Sequence, residues 1–314
     1  FAADGNDGSG EGALEEREME GRSTAVAKRE FSAAAATLYV VATPLGHLRD
    51  ITLRALDVLG AVDLIFAEDT RVSAVLLTRH GIATRPQALH AHNEARRAAG
   101  VVAALAAGKS VALISDAGTP AISDPGSRVV RAARDAGFAV VPVPGPSALV
   151  AAISAAGLAA TRFMFVGFLP VPAGARDALL QTLARTDAAL VFYEAPHRIG
   201  KTLAVLASAF AGDRMLVVAR ELTKAFESIA TMPLADAVAW LAQDANRERG
   251  EFVLIVDAPA ANAVDAAAPA EAERWIKALL AEMPPSRAAQ VVAHMTGVPR
   301  DTLYRFAMAQ KKQR

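Results

Sequence analysis

The apolar run Val111–Ile114 closes at Ser115–Gly126, SDAGTPAISDPG, and this junction constrains the fold more than any other stretch of the chain. Four consecutive apolar residues read as a buried strand, whereas the segment that follows can continue neither strand nor helix. Gly118 and Gly126 admit backbone angles closed to other residues, and Pro120 and Pro125 stiffen the turns. Asp116 and Asp124 then supply carboxylates just past the strand's carboxyl end. Ligands bind at that edge in open α/β sheets. A well-made connection between a strand and a helix accounts for the same residues, so the neighbouring segments decide.

They repeat the pattern. Leu38–Ala42 reads as a strand running into TPLGHLRD, where Pro44 and Gly46 break it and Asp50 can cap the helical run Ile51–Leu59. Leu64–Ala67 is a second strand, ending in Glu68, Asp69 and Thr70, and the helix Arg71–His80 after it stops at Gly81. Val140–Val143 runs into PGPSALVAAISAAG, in which Gly145 allows close backbone approach, Pro146 suits a first helical turn and Ser147 offers a hydroxyl and an amide. Such a helix start attracts an anionic group, although a plain cap has the same composition. Strands at Phe163–Phe168, Ala189–Tyr193, Met215–Ala219 and Phe252–Asp257 form a second series with helices near Arg176–Arg185, Arg198–Phe210 and Leu234–Asp244. Phe226–Pro233 is β-like and suited to antiparallel pairing.

The alternation predicts two tandem α/β domains divided near Gly157–Arg162, with a cleft between them. Polar strand ends Glu194–Arg198 and Arg220–Glu227 would line the second wall. Residues 1–36 are predicted to be a disordered tail, 37–158 and 159–258 the two domains, and 259–270 an Ala- and Pro-rich linker. Residues 271–314 read as a small helical extension. It carries Arg287, Arg300, Arg305, Lys311, Lys312 and Arg314, a basic set equally suited to phosphate contact and to packing or dimer formation.

Composition removes other classes. Among 314 residues the formal net charge is +0, so contact with nucleic acid must come from local patches. There is no cysteine, hence no disulfide framework and no thiolate metal site. No apolar run reaches the roughly 18–20 residues of a membrane span. The start of the chain lacks the pattern of a secretory signal, and a cytoplasmic location is expected. His90 and His92 have no evident third partner, so no metal is expected there. Arg96 and Arg97 are either a solvated helix face or phosphate contacts.

LYVVATPLGHLRDITLRAL, AEDTR, HNE, SDAGTPAISDPG, PGPSA, FYEAPHRI and RELTK follow one another in an order and at separations that resemble the ribosomal RNA small subunit methyltransferase I family of the tetrapyrrole methylase superfamily. The likeness runs from Leu38 to Asp257, and the helical end resembles that family's C-terminal extension. It implies an α/β fold of two unlike domains holding S-adenosyl-L-methionine in their cleft, a homodimer, and methylation of a cytidine 2′-hydroxyl in the decoding region of 16S ribosomal RNA. Carried over by position, Pro44, Leu45, Gly46, Asp116, Gly118, Thr119, Pro146, Ser147, Ala148, Tyr193, Glu194 and Ala195 are the implied cofactor contacts. The family usually has Asn where this chain has His47, which alters one polar contact at that wall.

A sulfonium methyl donor is already activated, so alignment of acceptor oxygen, methyl and sulfur is the main task, and proximity of that kind supplies at best about 7–11 kcal/mol. A ribose hydroxyl also benefits from a base, worth roughly 100- to 10,000-fold in rate. Glu194, Glu221, Glu227 and His92 are candidates for it by their place at strand ends, and each is equally suited to an ion pair. Arg71, Arg96, Arg97, Arg198 and Lys224, with Arg287, Arg300 and Arg305 of the helical end, are the candidate RNA contacts. Two alternatives stand: a methylase of the same fold acting on a tetrapyrrole, and a non-catalytic module that binds S-adenosylmethionine or RNA.

Overall fold

The computed structural model describes residues 31–184, 186–259 and 270–312. The first 30 residues of the expected tail, Arg185, residues 260–269 of the expected linker, and Gln313 and Arg314 lie outside the described residues. Backbone contacts group the chain into two compact units, one made of Arg49–Gly145 with the described residues up to Thr43, the other of Pro44–Leu48 with the described residues from Pro146 onward.

In the first unit the apolar runs become five parallel strands, β1 (Thr37–Val41), β2 (Leu64–Ala67), β3 (Pro86–Ala88), β4 (Val111–Ile114) and β5 (Ala139–Val143), in the order β3-β2-β4-β1-β5. All four residues of β4 are buried, as a central strand covered on both faces requires. Helices α1 (Leu53–Ala61) and α2 (Thr70–Arg79) cover one face through Ala55, Val58, Leu59, Leu76 and Leu77. Helices α3 (Glu94–Ala106) and α4 (Ser127–Asp135) cover the other through Ala98, Val101, Leu105, Val129 and Ala133. The connections therefore deliver the polar corners Thr43, Glu68–Asp69 and Ser115–Asp116 to the carboxyl ends of β1, β2 and β4, three adjacent strands.

The second unit has a mixed sheet of β6 (Phe163–Phe168), β7 (Ala189–Glu194), β8 (Met215–Arg220), β9 (Ser228–Pro233) and β10 (Phe252–Val256), ordered β6-β7-β10-β8-β9. Only β6 and β7 run parallel; β10 is inserted antiparallel between β7 and β8, and β9 is antiparallel to β8. The period-two alternation splits each strand between two cores. Leu190, Phe192, Leu254 and Val256 face α6 (Ala173–Leu183), α7 (Ile199–Ala209) and α8 (Ala237–Ala242). Val191, Val217, Val253 and Ile255 face Ala152 and Ala156 of α5 (Ala148–Ala156). Beyond residue 269, α9 (Ala270–Leu279), α10 (Pro285–Thr296) and α11 (Arg300–Lys312) close their own core around Ile276, Ala288, Ala289, Val292, Leu303 and Ala307.

Candidate functional site

In the first unit the candidate corners meet at the sheet's carboxyl edge. Thr43 and Gly118 exchange backbone hydrogen bonds of 2.9 and 3.0 Å, forming an isolated bridge beyond β1 and β4. The Thr43 hydroxyl adds a bond to the Ser115 carbonyl at 3.0 Å. Gly118 reaches this bridge with φ of +82°, in the left-handed region. Two residues earlier in the turn, Asp116 Oδ1 accepts the Asp69 N–H at 2.9 Å and so ties the ends of β4 and β2 together.

Asp69 in turn caps α2, accepting the Arg71 N–H at 2.8 Å and the Arg71 guanidinium at 3.1 and 2.6 Å. The Arg71 side chain holds the Asp69 carboxyl down at about 2. Next to it, burial raises Glu68 to about 7, with the Asp124 and Asp116 carboxylates adding to the effect. Burial also raises Asp116. Carboxyl groups thus crowd this edge and are held back from full ionisation, a setting that suits a cationic ligand group such as an ammonium or sulfonium, which favours their charged form.

Arg71, expected as an RNA contact, is exposed yet already engaged with Asp69. Arg96 is exposed on α3, and Arg97 is half-buried with its Nε enclosed and unpartnered. His90 and His92 form an edge-on ring pair with centroids 6.0 Å apart, and Asn93 Nδ2 lies 3.1 Å from His90 Nε2. The residue at this corner that sequence reading missed is Glu94. It is buried, and its Oε1 accepts the N–H groups of Gly126 and Arg128, both at 2.9 Å, at the start of α4. The one available signal was an acidic residue after HN at a helix start, which also fits a solvated first turn.

In the second unit two pairs of candidate segments come together. The Tyr193 hydroxyl accepts the Leu149 N–H at 3.1 Å, joining the end of β7 to the first turn of α5, where Ser147 is the N-cap. Phe165 and Phe168 stand edge-on to the Tyr193 ring at 4.9 and 5.9 Å. Separately, the Pro44–Leu48 segment packs on the loop after β8. The His47 N–H donates to Thr223 Oγ1 at 3.2 Å, and a Cβ on Gly46 would lie 2.3 Å from Lys224 Cγ. Any residue larger than glycine at 46 displaces that lysine.

Four sequence candidates prove to be heavily engaged. Glu194 is 2% exposed; its Oε1 accepts the Ala195 N–H at 2.9 Å and pairs with Arg198 Nε at 3.1 Å, while Oε2 accepts the Thr202 hydroxyl at 2.6 Å. Arg198 also donates to the Leu169 carbonyl at 2.6 Å. Glu221 Oε1 accepts Lys224 Nζ and the Glu251 N–H, each at 2.9 Å, and Lys224 reaches Glu251 as well. Burial pushes the Glu221 carboxyl up, but the Lys224 and Glu251 hydrogen bonds outweigh it and leave the group lowered. These bonds give Glu194, Arg198, Glu221 and Lys224 positioning work within the second unit. Glu227 is exposed and accepts the Thr223 N–H through Oε2.

A donor nucleoside with a sulfonium, an ammonium, a carboxylate and a flat base needs carboxylates, helix-start amides and an apolar or aromatic wall. Within the first unit the Glu68–Asp116 corner offers the carboxylates; within the second, the Ser147–Ala148 start of α5 offers amides and Tyr193 an aromatic face. Each unit by itself thus carries side chains whose chemistry suits one part of such a group. Among the described residues no cluster of His, Cys, Asp or Glu is arranged to hold a metal ion, and no helix is long and apolar enough to cross a membrane.

Comparison with known proteins bears on this site directly. Residues 37–238 match the family model for tetrapyrrole (corrin/porphyrin) methylases, and residues 266–311 match one described as the RsmI C-terminal HTH domain. The chain is 49% identical over 275 residues to the ribosomal RNA small subunit methyltransferase I of Pseudomonas aeruginosa, covering 88% of this chain and 98% of that protein. It is 50% identical to the protein of the same name from Xylella fastidiosa, covering 85% and 97%. Among solved structures, the methyltransferase CobJ superposes with a TM-score of 0.56 at 23% identity over 71% of this chain and 94% of that one. Diphthine synthase gives 0.54 at 18% over 71% and 90%. At those identities the two structures speak for the fold alone.

Proposed function

The chain belongs to the tetrapyrrole methylases and, within them, to the ribosomal RNA small subunit methyltransferase I family, and from that premise we propose that it transfers a methyl group from S-adenosyl-L-methionine to the 2′-hydroxyl of a cytidine in the decoding region of 16S ribosomal RNA. The observation that supports this reading is identity of 44–50% along 85–91% of the chain to relatives named ribosomal RNA small subunit methyltransferase I, together with a match of the helical end to the RsmI C-terminal HTH domain. The alternative with a tetrapyrrole substrate rests on fold likeness at 17–23% identity, which says nothing about the acceptor.

When bound, S-adenosylmethionine supplies an activated methyl group. The chain's work is then to bind, orient and exclude water. In this reading Pro44–Gly46, Asp116–Thr119, Pro146–Ala148 and Tyr193–Ala195 hold the donor, with Glu194 acting as the buried brace of Ala195 and Arg198. Removal of the 2′-hydroxyl proton falls to Glu227 or His92, both exposed, since Glu194 is buried with both oxygens in internal bonds and Glu221 is tied through Oε1 to Lys224 and the Glu251 N–H. Arg96, Arg97, Arg287, Arg300 and Arg305 hold phosphates; the protein works as a cytoplasmic homodimer.

The test is incubation of the purified protein with methyl-tritiated S-adenosylmethionine and either small ribosomal subunits or a tetrapyrrole precursor. Label recovered in a ribose-methylated cytidine of 16S rRNA is the expected result. Label in the macrocycle, in a base, or nowhere overturns it.

A further inference from the structure

The loop 221–227 is built with more care than a connection between two antiparallel strands needs. Glu221 and Thr223 both sit in the left-handed region, at φ of +53° and +65°, where non-glycine residues are strained and persist only when their surroundings hold them. Here they are held. Lys224 N–H donates to the Glu221 carbonyl and Glu227 N–H to the Lys224 carbonyl, at 2.9 and 3.1 Å. The Glu227 carboxylate takes the Thr223 N–H. Glu221 packs so tightly over Gly250 that a Cβ there would lie 2.3 Å from its Cγ. Arg220 spends its guanidinium on Ser228 Oγ and on the carbonyls of Asn246, Arg249 and Phe226, at 3.1–3.3 Å.

What this frame presents is a phenylalanine. Phe226 is 74% exposed although its own carbonyl is pinned by Arg220 Nη2 at 3.1 Å and the next residue is fixed through its side chain. A lone exposed apolar side chain needs no explanation on a loop free to fold it away. On a backbone fixed at both sides, the ring is presented outward, and it stands two residues from Lys224 in a loop bonded to the His47 segment.

We infer that Phe226 is a stacking platform for an unpaired base of the RNA substrate. The inference rests on the RNA reading above and adds to it the residue that receives a splayed nucleotide. Aromatic faces are the usual support for unstacked bases, and the charged residues of the same loop, Arg220, Glu221, Lys224 and Glu227, make the surroundings of the ring polar, which suits a flat base with a solvated edge better than an apolar protein surface. Because the ring lies on the loop braced against Gly46, it sets where the nucleotide stands relative to that segment, and so acts as a positioning residue.

The experiment uses the full chain with Phe226→Ala, Phe226→Leu and Phe226→Tyr, small subunits as substrate, and a 2-aminopurine-containing single-stranded oligonucleotide as the binding probe. Ala and Leu are expected to weaken probe binding and raise KM for small subunits about 5- to 100-fold. The same two changes abolish the quenching of 2-aminopurine fluorescence, while Tyr keeps both and the affinity for S-adenosylmethionine stays constant throughout. Unchanged probe binding and KM in the Ala variant overturn the inference, as does a Leu variant that behaves like the parent, which would mark a merely apolar contact. A change in sedimentation mass with RNA binding intact also overturns it, in favour of a second copy of the chain. Failure of the parent protein to bind or methylate RNA sinks the RNA reading itself, and is thereby distinguished from failure of the Phe226 role alone.

Discussion

Lys224 lies across Gly46 so closely that a Cβ added to the glycine would sit 2.3 Å from Lys224 Cγ and 3.3 Å from Cδ. The lysine cannot simply swing aside, because its Nζ is bonded to Glu221 Oε1 and Glu251 Oε2 at 2.9 Å each. Gly46→Ala is therefore expected to destabilise the protein by about 1–2 kcal/mol and to weaken S-adenosylmethionine binding about 10-fold. In a Lys224→Ala background the clash is gone and the stability cost should fall to a few tenths of a kcal/mol, a coupling typical of residues in contact. Urea melts of the four proteins in the cycle and calorimetric titration of the donor measure both effects; equal costs in the two backgrounds would refute the contact's role.

Glu94 offers a cleaner separation of charge from hydrogen bonding. Both N–H donors at the start of α4, from Gly126 and Arg128, use the same carboxylate oxygen. Glu94→Gln keeps an acceptor there and loses only the charge at a helix N-terminus, so a cost of about 1 kcal/mol is expected. Glu94→Ala strands two N–H groups and leaves a gap, for about 3 kcal/mol. Thermal melts of the two variants should fall in that order.

How much of this was legible in the chain follows from the kind of signal each feature leaves. Leu64–Ala67 and Val111–Ile114 are strands at the residues where the apolar runs stand, because a doubly covered parallel strand has no polar face to blur it. β3, with the sequence Pro-Gln-Ala, left no such trace: it is a half-buried edge strand defined by its pairing with β2. The antiparallel insertion of β10 between β7 and β8 was equally invisible, since each strand reads the same in either direction. Among the candidate corners, Tyr193 stood out only through the family resemblance, whereas Gly118 and Ser147 showed through their turn chemistry. Which carboxylates were bonded internally did not, because Glu194 and Glu227 look alike at a strand end and only the packing of Arg198 and Thr202 tells them apart.

That packing yields its own prediction. Arg198→Ala leaves the fully buried Glu194 carboxylate without its cation, a change that typically costs about 3–5 kcal/mol. The variant should lose stability by that order while the salt dependence of its RNA binding stays unaltered, because the guanidinium is committed to Glu194 and the Leu169 carbonyl. A reduced salt slope with normal stability would instead place Arg198 on phosphate.

Glu68 predicts a pH dependence with a definite sign. Its carboxyl is raised from 4.5 to about 7 in the folded protein by burial, with the Asp124 and Asp116 charges adding to it. Below pH 4.5 the group is protonated whether the chain is folded or not, and its stabilising contribution relative to the ionised form is complete. As pH rises through 7 the folded protein gives up that proton and the contribution is lost. Half-burial and solvent screening limit it to on the order of 1 kcal/mol. Denaturant melts at pH 5 and pH 8 should show Glu68→Gln gaining on the parent at the higher pH; a constant difference between them would contradict the raised value.

The helical end separates phosphate contact from packing through the dependence on salt. From Pro285 to Lys312 the sequence has five Arg and Lys residues, Arg287, Arg300, Arg305, Lys311 and Lys312, against the single acid Asp301, although the whole chain is formally neutral. Among these, Arg287 and Arg305 are exposed on α10 and α11, and Arg300 is exposed while donating to Ser286 Oγ at 3.1 Å across the turn between those helices. None belongs to the core of Ile276, Ala288, Ala289, Val292, Leu303 and Ala307, so replacement should leave folding within about 0.5 kcal/mol of the parent. Each lost phosphate contact reduces the slope of log affinity against log salt by about 0.7 on single-stranded RNA. The triple change of Arg287, Arg300 and Arg305 to Ala is thus expected to lower the slope by about 2 and to weaken binding to small subunits most strongly at low salt. Filter binding at several ionic strengths measures it. An unchanged slope, accompanied by a shift in sedimentation mass, would mean that these arginines meet a second copy of the chain and not the RNA backbone.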